Sequence, residues 1–246
     1  MKKISLLLIG LLFMMFLCIL GSTSIDAAEE FDDVNALSLS DKNEDFSLDE
    51  LRKLNGDKFD ILFNRKTNIP SFIDGKFSTK KILTGEDAIL SLLSVKSLMN
   101  MNNPIDEFIC FKIEKDGNLN CFRMQQVYNG IEVFGKQLVI ISNEDGEACS
   151  LSGDYSPGIS LDLKTTLKSI FQQQNELIGE VTRANKFTII GAPELSIFVS
   201  EDFAPYLCWK FNVSGRTEAD NALILADTKT GAIVAQFRTT YTMTDY

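Results

Sequence analysis

The chain has 246 residues, 45% of them hydrophobic and 10% aromatic, which suffices for the packed core of one large domain or two small ones and excludes a disordered tail. A formal charge of −10 and a pI of about 4.6 argue against nucleic acid and anionic membranes as partners, and suit solubility or docking to a basic surface. Histidine is absent, which excludes Ser-His-Asp and Cys-His constellations, a His-Glu-x-x-His zinc site and any histidine general base.

Lys2 and Lys3 precede an apolar, charge-free run over residues 4–20, followed by small and polar residues. That order is the pattern of a secretory signal, with cleavage expected between Ser24 and Ala28; an uncleaved membrane anchor is the competing reading. Cys18 follows Phe16 and Leu17 and lacks the small residue that lipoprotein processing needs. Loss of residues 1–27 removes two lysines and one aspartate, leaving a charge near −11. Residues 28–45 are acidic and polar and read as a mobile leader.

Ser47 with Glu50 forms a capping-box pattern, and Leu48, Leu51 and Leu54 give a short helix an apolar stripe up to Gly56. Residues 64–75 read as an extended segment punctuated by Pro70 and Gly75. Thr84 with Asp87 starts a second helix, whose Ile89, Leu92, Leu93, Val95 and Met99 make one continuous apolar face before Asn102, Asn103 and Pro104 end it.

From Phe108 the period becomes that of strands. Runs at 108–115, 121–128, 131–141 and 148–151 are separated by Asp116-Gly117, Asn129-Gly130 and Asp145-Gly146, which predicts an antiparallel meander. Pro157-Gly158 marks the best boundary. Beyond it Leu167, Ile170, Phe171, Leu177, Ile178 and Val181 space as one face of a helix of about five turns. Strand runs at 195–200, 206–213, 222–226 and 233–237 follow, the last two joined by a turn between Asp227 and Gly231. The expected fold is therefore α+β, with two subdomains, each an antiparallel sheet with a helix packed on one face.

Four cysteines remain after the leader: Cys110, Cys121, Cys149 and Cys208. A two-residue turn at Asp116-Gly117 would pair Lys112 with Cys121 and Cys110 with Arg123, placing the two thiols diagonally at about 7 Å, too far for a relaxed bridge. All four lie in apolar strand runs, where reduced thiols are the plainer expectation. Their spacing lacks the close pairs of a structural zinc site. Carboxylates fall mostly in turns or at helix starts, no glycosidase-like pair stands out, and no phosphate-cradling or dinucleotide motif occurs, so neither metal nor cofactor is expected.

The segment at 123–135 carries the most information. Asn129 and Gly130 supply a tight hairpin, Val127, Ile131, Val133 and Phe134 supply core, and Gly135 lies in the second strand. Arg123, Gln125, Gln126 and Tyr128 must face water or find partners; on the residues alone they read as solvated strand positions.

This segment resembles the signature of the fungalysin/thermolysin propeptide, and other segments resemble the same prosequences in the same order. These are residues 51–56, 67–75, Gly146, Ser152-Gly153, residues 192–195 with Trp209-Lys210, and the turn at 226–231, covering roughly residues 46–240. The resemblance implies a fungalysin/thermolysin propeptide subdomain at 46–156, a PepSY-like (PepSY/cystatin-like) subdomain at 157–240 and a C-terminal tail at 241–246. It also implies no catalysis. Such propeptides inhibit a thermolysin-family zinc protease and help it fold, so Arg123, Gln125, Gln126 and Tyr128 become candidate protease contacts, and the stretch 238–246 a segment that could reach the cleft. Many relatives carry a histidine at the positions of Cys121 and, approximately, Ile141, so a histidine-triggered release is not expected here. With no protease domain in the sequence, the chain would act on a metalloprotease in trans, or be a relic of a truncated precursor. A cell-envelope module of PepSY type is the alternative from another class.

Overall fold

A computed structural model describes residues 45–163, 167–215 and 221–239. The signal, residues 28–44 of the leader and the tail at 241–246 lie outside the described residues. No helix among the described residues is long and apolar enough to cross a membrane.

Both capping boxes are present. Ser47 caps α1 (Leu48–Asn55) and Thr84 caps α2 (Gly85–Ser91), each with a reciprocal carboxylate, Glu50 and Asp87. Of the α1 stripe, Leu51 alone reaches full burial, and Leu54 is exposed. The expected long second helix breaks: α2 ends at Ser91 and continues as a 3-10 turn over Leu92–Val95. A single turn, α3 (Pro104–Glu107), then starts with Pro104 at a position where its missing N–H costs nothing.

The strands are β1 (Asp60–Phe63), β2 (Pro70–Asp74), β3 (Phe108–Asp116), β4 (Leu119–Tyr128), β5 (Ile131–Asn143), β6 (Ala148–Gly153), β7 (Thr188–Val199), β8 (Pro205–Ser214), β9 (Ala222–Asp227) and β10 (Ile233–Arg238). Helix α4 (Leu167–Asn185) precedes β7. The sheet runs β1-β2-β6-β5-β7-β8-β9-β10, and the β3–β4 hairpin joins it through β4 and β5. The expectation of two separate antiparallel sheets is corrected here: β5 belongs to both halves, through a parallel contact of Val133 with Ile197 on β7.

Two cores remain distinct within this α+β fold. The first gathers Leu51, Phe77, Leu92, Phe122, Met124, Leu138 and Ile140. The second gathers Val133, Ile170, Ile178, Ile197, Trp209, Phe211 and Ile224, with Tyr128 and Ile131 packed against it. The hairpin Tyr128–Ile131 therefore leaves the first core and seeds the second.

Two local expectations are also corrected. The β3–β4 loop is Gly117-Asn118, because Asp116 pairs with Leu119; Gly117 has φ +57°, the demand of the first loop position of a type II′ turn. Cys121 consequently faces Glu114, and Cys110 faces Met124 across a bulge at Phe111. All four cysteines are unpaired thiols. Strand β7 starts at Thr188 rather than 195, since the Gly191–Pro193 interruption is a bulge between Ile190 and Glu194 and not a strand end. Strand β1 lies outside the runs read from the sequence, and all but Ile61 of its four residues are exposed.

Candidate functional site

The hairpin at 123–135 holds the candidate site. Asn129 and Gly130 have φ of 49° and 78°, both positive as a type I′ turn requires, and Tyr128 pairs with Ile131 beside them. Between Gln125 and Val127 the β4–β5 register shifts, and β5 bends at Gly135 with φ +70°. A shift of this kind strips ladder partners from carbonyls on the facing strand.

Gln125 answers that loss, while Gln126 pairs with the connector that follows β6. The Gln125 amide donates to the Val133 carbonyl at 2.7 Å and to the Lys136 carbonyl at 3.0 Å, spanning the bend, while its own oxygen accepts from Gln137 at 3.0 Å. Gln126 donates to the Ser156 carbonyl at 2.7 Å and accepts from the Ser156 N–H at 3.0 Å. Both are buried, at 6% and 2% exposure, so the expectation of solvated strand positions does not hold for them. Tyr128 is half-buried; its hydroxyl donates to the Leu161 carbonyl and accepts from the Leu161 N–H, both at 3.2 Å. The connector on both sides of Pro157-Gly158 is thus stitched to the hairpin, at Ser156 and at Leu161.

Arg123 lies apart from these. Its Nε donates to Glu114 at 2.8 Å, and Lys112 reaches the other oxygen of Glu114 at 2.8 Å. Hydrogen bonds from Lys112 and Arg123 hold the Glu114 carboxyl below its ordinary range, on an open strand face. Of the four candidate contacts, Arg123 and Tyr128 keep surface, and the glutamines are spent inside the protein.

A second tie joins the hairpin to the other half of the sheet. Lys210 Nζ, on β8, lies 2.8 Å from Glu132 and 3.2 Å from Glu194, and Ser196 donates to the Glu132 carbonyl at 3.2 Å. Burial pushes the Lys210 ammonium down, but the hydrogen bond and charge of Glu132, with Glu194, outweigh it and the net direction is up. No sequence signal marked Glu132 or Ser156; Lys210 was visible only through the resemblance.

Beside the turn lies a cleft of about 440 Å³, lined among others by Asp106, Glu107, Gln126, Tyr128, Asn129 and Tyr155. Glu107 accepts from the N–H groups of Asn102 and Asn103 at 2.8 and 2.9 Å and from the Tyr155 hydroxyl, so both of its oxygens are engaged. At the far end, Asp227 takes hydrogen bonds from the N–H groups of Lys229 and Thr230, and a Cβ on Gly231 would sit 3.3 Å from Leu177 of α4. No cluster of metal-ligating side chains occurs among the described residues.

The fungalysin/thermolysin propeptide motif matches residues 112–155, from the middle of β3 to Tyr155. Thermolysin of Alicyclobacillus acidocaldarius subsp. acidocaldarius and thermolysin of Bacillus caldolyticus are each 27% identical over 188 residues, 71% of this chain and 33% of the relative. Bacillolysin of Brevibacillus brevis is 26% identical over 156 residues, 59% of this chain and 29% of the relative. The chain thus spans about a third of the length of these curated relatives. The Bacillus megaterium YpeB C-terminal domain is 13% identical, with a TM-score of 0.34 over 79% of this chain and 98% of that one. The chain carries a fungalysin/thermolysin propeptide motif at the junction of its two cores, and it is distantly related to the propeptide region of thermolysin and bacillolysin over most of its length.

Proposed function

We propose that this chain is an exported, propeptide-type protein that binds a thermolysin-like zinc metalloprotease in trans, as its inhibitor, its folding chaperone or both. The observation that carries the reading is the coincidence of the matched motif, residues 112–155, with the segment that joins the two cores. A surface fixed in this way is preorganised, and a preorganised surface that binds the native protease better than the unfolded one stabilises it by mass action. These 246 residues contain no histidine for a zinc-protease centre, so the proposal assigns the zinc chemistry to the partner.

Within this reading Arg123 and Tyr128 are contact candidates, and Gln125 and Gln126 act one step back by holding the hairpin. The test mixes the purified chain with a thermolysin-like enzyme and measures casein hydrolysis and the yield of active enzyme after refolding. Lower hydrolysis or higher yield supports the proposal. Neither effect with any such enzyme from the same source defeats it.

A further inference from the structure

Strand β3 is the most exposed apolar edge of the fold. It pairs with β4 on one side and with no strand on the other among the described residues. Ile109, Phe111 and Ile113 on it are 50, 49 and 56% exposed, and Ile105 of α3 adds another large apolar side chain at 53%. Native proteins blunt such edges or cover them, because the free N–H and C=O groups are a template for another strand. Here the bulge at Phe111 blunts the first half, which leaves Lys112 to Asp116 as a regular open ladder.

The two-residue loop fixes which residues of that ladder are open. Asp116 and Leu119 flank the loop and exchange both hydrogen bonds, so Asp116, Glu114 and Lys112 turn their backbone groups toward β4. Ile113 and Lys115 turn theirs outward. An antiparallel copy that bonds through Ile113 and Lys115 can centre its twofold axis on Ile113, on Lys115 or on Glu114 between them, and the charges choose among the three. An axis at Glu114 would set that carboxylate opposite itself. An axis at Lys115 would set Glu114 opposite Asp116 of the copy, a like-charge clash. An axis at Ile113 sets Lys112 opposite Glu114 of the copy, twice, with Ile113 meeting itself at the centre. Lys112 on an edge normally discourages pairing, but in this register each Lys112, already 2.8 Å from Glu114 of its own chain, gains a second carboxylate from the copy.

We infer that the open β3 edge is an isologous dimer interface, in which two copies of this chain pair antiparallel about Ile113 with Lys112 facing Glu114 of the other copy. The pairing covers the backbone groups of Ile113 and shields the exposed apolar side chains beside it. It leaves the Tyr128 face untouched and does not depend on the protease reading, although its Glu114 also holds Arg123.

Sedimentation velocity of the purified chain, from about 1 to 200 µM, tests it. The wild-type mass should rise with concentration toward twice the monomer. Lys112→Glu and Glu114→Lys should each stay monomeric, since each sets like charges opposite one another. An equimolar mixture of the two should form a heterodimer, because one chain then presents carboxylates at both positions and the other presents ammonium groups at both. Ile113→Pro, which removes an outward N–H that β4 does not use, should be folded by circular dichroism and monomeric. A wild type that stays monomeric throughout, a dimer indifferent to the charge swaps, or a mixture that stays monomeric overturns the inference. A monomeric wild type whose β3 variants lose protease inhibition overturns it too, and assigns the edge to the enzyme.

Discussion

Gln126 and Ser156 pair as two peptide groups do in a sheet: the side-chain amide donates to the Ser156 carbonyl at 2.7 Å and its oxygen accepts from the Ser156 N–H at 3.0 Å. The glutamine stands where the β4–β5 register shifts by three residues, and its side chain gives Ser156 the pairing that a neighbouring strand would otherwise supply. Gln126→Ala would leave two buried backbone groups without partners, and the expected loss is about 2–4 kcal/mol in urea unfolding. Gln126→Glu should do worse at neutral pH than in mild acid, since a carboxylate cannot donate to the Ser156 carbonyl and burial penalises its charge. A loss under about 0.5 kcal/mol in both variants would contradict the account.

Lys210 ties the motif hairpin to β7 through Glu132 and Glu194. Lys210→Met keeps the stem but leaves two carboxylates facing each other, with an expected cost of about 1–3 kcal/mol. Amide exchange should quicken first at residues 131–133 and 194–197, where the two halves of the sheet meet. Combining Lys210→Met with Glu132→Gln should cost less than the sum of the two single changes, as residues in one charge pair are coupled. Strict additivity would show that the tie carries no energy.

Much of the fold was legible because turn chemistry and capping are local. Ser47 with Glu50, Thr84 with Asp87, and Asn129 with Gly130 each state their role within a few residues. The single continuous sheet was not legible, since it depends on Val133 meeting Ile197, two residues that look like ordinary strand core. The glutamines were misread for a related reason: period-two logic assigns a polar strand residue to solvent, and the need that buries Gln125 and Gln126 arises only when β5 bends over β4. Arg123 shows the converse, for it does sit on an open face, as the pattern said.

Gly153 and Gly130 make a paired test of why glycine stands in the motif. A Cβ on Gly153 would lie 2.1 Å from the Gln137 carbonyl oxygen and 3.0 Å from the Leu138 Cα, both backbone atoms that cannot swing aside, so β5 and β6 would have to part. Gly153→Ala should therefore cost about 3 kcal/mol or more. Gly130 has open space around its Cβ and only its positive φ to satisfy, so Gly130→Ala should cost about 1 kcal/mol. Chemical denaturation of both ranks them; equal costs would mean that strand approach is not what Gly153 serves.

Alkaline stability should fall for reasons that lie in both cores. Burial, with the nearby charge of Asp227, pushes the Cys208 thiol up to about 12 from an ordinary 9.0. Burial likewise pushes the Tyr155 phenol well up, and its hydrogen bond to Glu107 adds to the effect. The folded state keeps these protons after the unfolded state has released them, so the unfolded state gains as pH rises. The stability present below pH 9 is then lost from about pH 9 upward, at about 1 kcal/mol per pH unit from Cys208 alone. Lys210 acts in the same direction, since its raised folded pKa means that the stability of its ion pairs is lost as the ammonium deprotonates. Unfolding free energies measured at intervals between about pH 8 and 11 should show this decline, and Cys208→Ala should flatten its onset near pH 9. With no histidine in the chain, the range from about pH 6 to 8 should be nearly level, and a steep change there would point to a titrating group other than those named.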